Sequence, residues 1–293
     1  MATADLCAIR PEPASYQIDC RLDYTLESDC DFVFMIHVAQ TPRQRLLDES
    51  LQLSPPLRSR LTADAAGNRM LRLRAPPGPL TVDYRARVEL WPQCAAPQAD
   101  EWPIDRLPDS VLPDLLPTRY CESDRLGPAA RQLFGGVEPG LPRVRAICDW
   151  LAQHVQYRIG STLNTSTALD VFVQRAGVCR DFAHLGISFC RALNIPARMV
   201  CGYAPFEEPP PDFHAVFEAF LDGRWRLFDP TGLAPTEALV RIAHGRDAKD
   251  TAFATLYGAA RLDAMSPQIR GLDIGRGPAR RESPRAAAQT EAA

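Results

Sequence analysis

The sequence predicts an α+β protein, in which an antiparallel β-domain precedes a helix that packs against a second antiparallel sheet. Residues 15–91 carry short runs of alternating apolar and polar side chains separated by turn signals, a pattern typical of strands. Residues 179–193 instead place apolar side chains three and four positions apart, which predicts a helix with one buried face. Further along, the pair Asp222-Gly223 predicts a tight hairpin between two more strands.

The composition is that of a globular protein and argues against several classes of function. The 293 residues, 46% of them hydrophobic, supply enough material for one large or two medium domains. A net charge of −3 argues against a nucleic-acid or anionic-membrane partner. No apolar run approaches the roughly 20 residues that span a bilayer. Residues 1–7 lack the features of a signal peptide, so we expect a cytoplasmic location.

The nine cysteines form no recognisable framework. Their number is odd, their spacings are scattered, and no Cys-x-x-Cys pair occurs, so disulfides and a structural zinc site are not expected. Reduced thiols, as in the cytoplasm, are the default. The sequence contains nothing that resembles a calcium-binding loop either, and we predict an activity that needs no metal and no cofactor.

The N-terminal β-domain is predicted to cover residues 1–91. Its strands are expected at 15–26, 32–38, 44–53, 57–61, 70–73 and 80–90, with a turn at Gly67-Asn68. Strands at this spacing favour a small antiparallel sandwich or barrel. The proline-rich stretch 92–118 is interpreted as a linker.

The second domain is predicted to cover residues 119–270. Helices are expected near 125–134, 142–155 and 171–174, the last opened by a capping box, and a fourth begins at the cysteine of position 179. Strands are expected at 197–203, 213–221 and 225–229, followed by a mixed and partly helical region at 233–263. Residues 271–293, rich in Gly, Pro, Arg, Ala and Glu, are expected to form a flexible tail.

Cys179 is the candidate nucleophile. Gly177 leads into it, and the predicted helix starts there, where unpaired N–H groups and the positive end of the helix dipole stabilise a thiolate. Asp181 in the first turn favours the helix but opposes a thiolate nearby. A lone cysteine is more often a small core residue, and this remains the interpretation of Cys190 and Cys201.

The hairpin register brings two polar residues together. A two-residue turn at Asp222-Gly223 pairs Phe220 with Trp225 and places Val216 opposite Asp229. His214 and Asp229 then share one face of the sheet as diagonal neighbours, roughly 7–8 Å apart at Cα, a gap that their side chains can close. A shift of one residue would point the two groups to opposite faces.

The same face of the hairpin is predicted to be covered by the Cys179 helix. This arrangement would bring the thiol, the imidazole and the carboxylate to one helix–sheet seam. Glu218 would also point into that face, so either it lies at a wet edge or the predicted register is imperfect.

These groups allow nucleophilic catalysis. Cys179 would attack a carbonyl and form a thioester, His214 would move the proton, and Asp229 would orient the imidazole. The Cys179 backbone N–H can supply one oxyanion donor, and the second is unassigned, with Tyr157 and Asn164 as candidates upstream.

Structural interpretations compete at several positions. Asp229 and Pro230 could be only a strand-ending turn. His184 lies roughly 140° around the helix from Cys179, and we interpret it as structural. A metal site at Cys179 and His214 would lack two suitably spaced partners.

Four blocks resemble the bacterial transglutaminase-like superfamily: 177–184 (GVCRDFAH), 191–198 (RALNIPAR), 214–220 (HAVFEAF) and 225–231 (WRLFDPT). Members are papain-type thiol enzymes, so the resemblance implies a papain-like, transglutaminase-like core over about residues 118–263 and a catalytic triad of Cys179, His214 and Asp229. The strand-rich N-terminal part resembles the β-domain that precedes this core in many bacterial members. Residues 245–248 also look family-like, whereas Val216 occupies a position that is often tryptophan in relatives.

The chemistry and the resemblance together predict an acyl-transfer enzyme that acts on peptide or side-chain amides. Water as acceptor would make it a cysteine protease or amidase, and an amine as acceptor would make it a transamidase. Hydrolysis is favoured by the resemblance alone. The alternative from another class is a non-catalytic peptide-binding module with a vestigial site. Substrate, acceptor, oligomeric state and the role of the β-domain stay open.

Overall fold

The computed structural model describes residues 12–92 and 98–272. The expectations for the N-terminal residues 1–7 and for the tail from 273 onward lie outside these ranges. Within them, the α+β class and the antiparallel arrangement of the sheets are confirmed.

The N-terminal part consists of six strands: β1 (Ala14–Leu26), β2 (Cys30–Phe34), β3 (Gln44–Ser54), β4 (Ser59–Ala63), β5 (Arg69–Ala75) and β6 (Gly78–Leu90). In β6 every second side chain from Leu80 to Leu90 is buried, as the alternating sequence predicts. The predicted strand at 32–38 begins two residues earlier and ends at Phe34. Beyond it the chain turns toward the second part, where the Tyr203 hydroxyl donates to the Ile36 carbonyl at 2.6 Å.

The second part contains four helices: α1 (Ser123–Phe134), α2 (Leu141–His154), α3 (Ala168–Gln174) and α4 (Cys179–Ala192). Two short strands, β7 (Gln156–Tyr157) and β8 (Ala176–Gly177), form a parallel bridge before α4. The capping box of α3 is confirmed, with Thr167 and Asp170 bonding each other's backbone N–H groups. The linker contributes two short 3₁₀ segments, Ile104–Arg106 and Asp109–Leu115.

A four-stranded antiparallel sheet carries the candidate site. It contains β9 (Ala197–Tyr203), β10 (His214–Leu221), β11 (Arg224–Phe228) and β12 (Val240–Gly245), in the spatial order β11-β10-β9-β12. The predicted hairpin register is confirmed where the ladder runs, with Phe220 opposite Trp225. Both turn residues have positive φ, 54° at Asp222 and 69° at Gly223, as a tight hairpin turn requires.

The prediction that α4 covers the His214 face of this sheet is wrong. The helix packs on the opposite face of β10, formed by Ala215, Phe217 and Ala219. Contact there is close, because a Cβ on Gly186 would lie 2.7 Å from the Phe217 ring. All eight residues of β10 are buried, so both of its faces are covered, but the face under α4 is wholly apolar whereas the other face carries His214 and Glu218.

The last two strands return to the N-terminal part. β13 (Ala254–Tyr257) pairs with β2, and β14 (Ala260–Leu272) pairs with β1 along its whole length. The sandwich therefore has sheets of order β14-β1-β6-β3 and β13-β2-β5-β4 around one apolar core. This differs from the predicted boundary at residue 270 and from the partly helical region at 233–263, whose described helical content is the 3₁₀ turn Thr236–Ala238.

Candidate active site

The candidate nucleophile, Cys179, is the first residue of α4, as the sequence predicts. Val178 precedes it in an extended conformation, and its backbone N–H donates to Asp181 Oδ2 at 2.9 Å. Asp181, the third residue of the helix, thus closes the N-terminal turn with its side chain. The thiol is only partly exposed and lies 4.0 Å from the carbonyl oxygen of Phe213, the residue before β10.

The charge of Asp181 is compensated by its neighbours. Its side chain is fully buried, accepts a hydrogen bond from the Thr162 hydroxyl at 2.5 Å and forms an ion pair with Arg180 at 2.9 Å. The guanidinium reduces the expected repulsion between this carboxylate and a thiolate at Cys179. Asp181 therefore shapes the helix start at a lower electrostatic cost than the sequence alone indicates.

Gly177 is required by a close approach. A Cβ at this position would lie 2.7 Å from Cβ of Asp181, whose side chain is held on several sides. Any larger residue would have to displace the carboxylate that closes the turn. The small residue that leads into the cysteine thus has a steric reason.

His214 and Asp229 meet as the register predicts. His214 Nε2 lies 2.8 Å from Asp229 Oδ2, and both side chains are buried. The second carboxylate oxygen accepts hydrogen bonds from the backbone N–H of Thr231 at 2.9 Å and from its hydroxyl at 2.6 Å. Asp229 is therefore held from both sides, and it directs one ring nitrogen of His214 toward itself.

The other ring nitrogen of His214, Nδ1, is buried and is not engaged by Asp229. A neutral ring that donates from Nε2 to Asp229 leaves a lone pair on Nδ1. Nδ1 is therefore the atom available to exchange a proton with Cys179. The hydrogen bond and charge of that thiol also contribute to the pKa of the ring.

The pKa values of the pair favour opposite charges. Burial alone would lower the pKa of His214, but the hydrogen bonds and charges of Asp229 and Cys179 outweigh it and raise the pKa to about 9. Burial alone would raise the pKa of Asp229, but the hydrogen bonds from His214 and Thr231 lower it below its ordinary value. An imidazolium beside a carboxylate is the form this environment stabilises.

The structure separates the two residues considered as oxyanion donors. Tyr157 ends β7, where it pairs with Gly177, two residues before Cys179, and its ring packs against Phe182 in the first turn of α4. Asn164 is exposed, and its carbonyl oxygen accepts the Tyr120 hydroxyl at 2.9 Å. Only Tyr157 is therefore placed to contribute to the site.

Glu218 neither lies at a wet edge nor reveals a register error. It is 1% exposed and accepts hydrogen bonds from Arg198 Nε and Arg241 Nη2, both at 2.5 Å. These residues come from the two strands beyond β10 in the sheet. The cationic pair lowers the pKa of Glu218, although burial alone would raise it.

His184 has a structural environment. Its ring is fully buried, stacks on Tyr120 at 5.2 Å and accepts the Ala248 N–H at 3.1 Å. Burial lowers its pKa to about 3, so the ring is neutral. The family-like segment 245–248 thereby docks on α4, and the Arg191 guanidinium adds a hydrogen bond to the carbonyl of Arg246 at 2.7 Å.

Thr231 was not identified by sequence reasoning. Its hydroxyl and N–H both bond Asp229, which is the geometry of a turn closed by an aspartate two residues earlier. The signal that could have found it is the strand-ending turn that Asp229 and Pro230 suggest, extended by one residue to the threonine that follows. The turn that ends the strand therefore also holds the Asp229 carboxylate in place.

Within residues 12–92 and 98–272, no group of three or more His, Cys, Asp and Glu side chains is arranged to hold a metal ion. No helix in these ranges is long and apolar enough to cross a membrane.

Comparisons with known proteins cover both parts of the chain. The family model described as the transglutaminase-like superfamily matches residues 128–230, and the one described as the bacterial transglutaminase N-terminal domain matches residues 14–99. A crystal structure of a candidate cysteine protease from Cytophaga hutchinsonii is 40% identical, with a TM-score of 0.87 over 92% of this chain and 94% of that one. The chain belongs to the transglutaminase-like superfamily. Cys179, His214 and Asp229 all lie inside the matched core.

Two mycobacterial proteins of this similarity group are described as uncharacterised. The protein from Mycobacterium leprae is 31% identical over 231 residues, which cover 72% of this chain and 80% of that protein. One from Mycobacterium tuberculosis is 27% identical over 237 residues, 71% of this chain and 75% of that protein. Superfamily membership and the likeness to a candidate cysteine protease support a thiol-dependent enzyme. The catalytic roles of the three residues stay a prediction.

Proposed function

We propose that this member of the transglutaminase-like superfamily is an acyl-transfer enzyme that cleaves amide bonds through a thioester on Cys179. The observation that carries the proposal is the 2.8 Å hydrogen bond between His214 and Asp229, which leaves His214 Nδ1 free beside a cysteine at a helix N-terminus. Nucleophile, proton carrier and orienting group are the three parts that covalent thiol catalysis needs.

The steps follow from the charges of these groups. A Cys179 thiolate paired with the His214 imidazolium attacks the carbonyl carbon, and a C–S bond forms. Collapse of the tetrahedral intermediate breaks the C–N bond, while the imidazolium gives its proton to the departing amine. Asp229 holds the ring and stabilises its charged form throughout. A water molecule, deprotonated by neutral His214, then hydrolyses the thioester.

The molecule that accepts the acyl group from Cys179 determines which reaction is catalysed. With water the enzyme is a cysteine protease or amidase, which the likeness to the candidate cysteine protease of C. hutchinsonii favours. With an amine in place of water, the same thioester would yield a transamidase. A non-catalytic peptide-binding module is less consistent with a buried and fully oriented His–Asp pair. The proposed substrate is a peptide or protein amide, the reaction needs neither nucleic acid nor membrane, and the proposed location is the cytoplasm.

Selective alkylation tests the proposed nucleophile without knowledge of the substrate. Iodoacetamide at about pH 6 reacts with thiolates and hardly with thiols, so Cys179 should be labelled ahead of the other cysteines. Cys148 is the internal control, because it is the other partly exposed cysteine in the described ranges and burial raises its pKa well above the ordinary value. Equal and slow labelling of both positions would contradict a thiolate at Cys179.

Turnover is tested with a peptide and amine-acceptor library. Cys179→Ala should abolish acyl transfer on every accepted amide, whereas Cys148→Ala should keep it, and circular dichroism should show both variants folded. Turnover that survives Cys179→Ala would end the covalent mechanism. The products of the wild-type reaction, free acid or new amide, distinguish hydrolysis from transamidation.

A further inference from the structure

Tyr157 is held beside the candidate nucleophile by its main chain. In the bridge between β7 and β8, Tyr157 lies opposite Gly177, and the N–H of Arg158 donates to the Gly177 carbonyl at 2.9 Å. The N–H of Gln156 likewise donates to the Arg175 carbonyl at 2.8 Å. Since Gly177 is two residues before Cys179, these bonds fix the backbone of Tyr157 against the start of α4.

The side chain of Tyr157 also contacts the first turn of α4. Its ring packs against Phe182, which lies one turn into α4, with 6.0 Å between the ring centroids. The residue is half-buried, and Cys179 contributes to the raised pKa of its hydroxyl, after the larger effect of burial. The phenol is thus held at its backbone and at its ring, against the first turn of the helix that begins with Cys179.

We propose that the Tyr157 hydroxyl is the second oxyanion donor of this site, beside the backbone N–H of Cys179. This inference rests on the proposed function, since an oxyanion forms only if Cys179 attacks a carbonyl. Two donors that converge on one point next to the nucleophile are the usual means of stabilising a tetrahedral intermediate. Tyr157 is held at this point by its pairing with Gly177 and by the contact of its ring with Phe182.

In the proposed reaction the Tyr157 hydroxyl only donates a hydrogen bond to the oxyanion and transfers no proton. When the Cys179 sulfur bonds to the carbonyl carbon, the π electron pair moves onto the oxygen, and the oxyanion accepts hydrogen bonds from the Tyr157 O–H and the Cys179 N–H. The pair returns as the C–N bond breaks, and the proton for the amine comes from His214. Tyr157 keeps its proton, because burial and the charge of Cys179 raise its pKa.

The test compares a reaction that forms an oxyanion with one that does not. Acylation of Cys179 by p-nitrophenyl acetate passes through a tetrahedral intermediate, whereas alkylation by iodoacetamide displaces iodide at a saturated carbon. Tyr157→Phe removes the hydroxyl and keeps the ring that packs on Phe182. We expect acylation to slow by ~10²-fold or more, while alkylation and thermal stability stay close to wild type. The matched control is Tyr257→Phe, at a 65% exposed position in the sandwich.

Each outcome separates this inference from the proposal on which it rests. Wild-type acylation no faster than that of Cys179→Ala would overturn the proposed function, and this inference with it. Normal wild-type acylation with an unchanged rate in Tyr157→Phe would overturn the oxyanion role alone. If acylation and alkylation fell by the same factor, Tyr157 would act on the thiolate, and the oxyanion assignment would again be wrong.

Discussion

Replacing Asp229 by asparagine should uncouple the imidazole from the thiol. In the wild type, the hydrogen bonds and charges of Asp229 and Cys179 overcome burial and raise the pKa of His214 from 6.5 to about 9. The difference corresponds to about 3 kcal/mol in favour of the imidazolium, or a factor of roughly 10² in the protonation equilibrium. Asp229 is the permanently charged member of that environment, so most of this preference should disappear with it.

The direction of the pH effect follows from the raised pKa. The imidazolium persists in the folded protein up to about pH 9, so the stabilising charge pair is fully present below pH 6.5 and is lost as the pH rises through about 9. In Asp229→Asn, burial dominates, and the ring of His214 becomes neutral at much lower pH. The thiolate then loses its cationic partner in the range where the wild type retains it.

Alkylation measures this change directly. Iodoacetamide labelling of Cys179 at about pH 6 should slow by up to ~10²-fold in Asp229→Asn. Acyl transfer should fall further, by up to ~10⁴-fold, because the ring orientation is also lost. Asp222→Asn is the matched control: it makes the same change at the exposed tip of the same hairpin, where asparagine tolerates the φ of 54°.

An Asp229→Asn variant that is alkylated and turns over as fast as the wild type across this pH range would refute the role of Asp229. Another group would then orient and charge His214. A variant that loses turnover but retains the wild-type labelling profile would contradict the electrostatic part of the argument and leave only the orientation of the ring.

Two further predictions concern stability and are measured by urea unfolding. Glu218→Gln should lower the free energy of unfolding by about 3–5 kcal/mol, because it leaves two guanidinium groups without their buried carboxylate. Glu138→Gln, at an exposed position, is the control and should change the free energy of unfolding by less than about 0.5 kcal/mol. A loss below 1 kcal/mol would mean that water replaces the carboxylate. Gly186→Ala should cost about 1–3 kcal/mol, since its Cβ would meet a fully buried phenylalanine ring at 2.7 Å. Gly136→Ala, with open space around its Cβ, is the control, and an equal response of the two variants would contradict tight helix–sheet contact.

The parts of the site that could be predicted from sequence are those set by local chemistry. The Asp222-Gly223 turn allows one pairing of the flanking strands, so the meeting of His214 and Asp229 followed from counting residues. The start of α4 likewise followed from the glycine and the apolar spacing around Cys179. Each of these inferences spans fewer than about 20 residues.

The parts that could not be predicted depend on contacts between distant segments. β10 is buried on both faces, and Val216 and Phe220 make the face of His214 partly apolar, although the wholly apolar face of Ala215, Phe217 and Ala219 is the one that α4 covers. β14 is an edge strand with mostly exposed side chains, so the alternation that marks a half-buried strand is absent. The partners of Glu218, in turn, lie 20 residues before it and 23 residues after it.

The sandwich supports the geometry of the candidate site through Phe213. This residue directly precedes His214, and its carbonyl oxygen lies 4.0 Å from the Cys179 sulfur. Its ring stacks on Phe253 at 4.8 Å, just before the strand that joins the sandwich, and it belongs to the same apolar core as β1 and β6. The backbone at this point is therefore positioned by the N-terminal part from one side and by α4 from the other. Phe253 in turn directly precedes β13, a strand of the sandwich. The β-domain therefore packs directly against the residue that precedes His214.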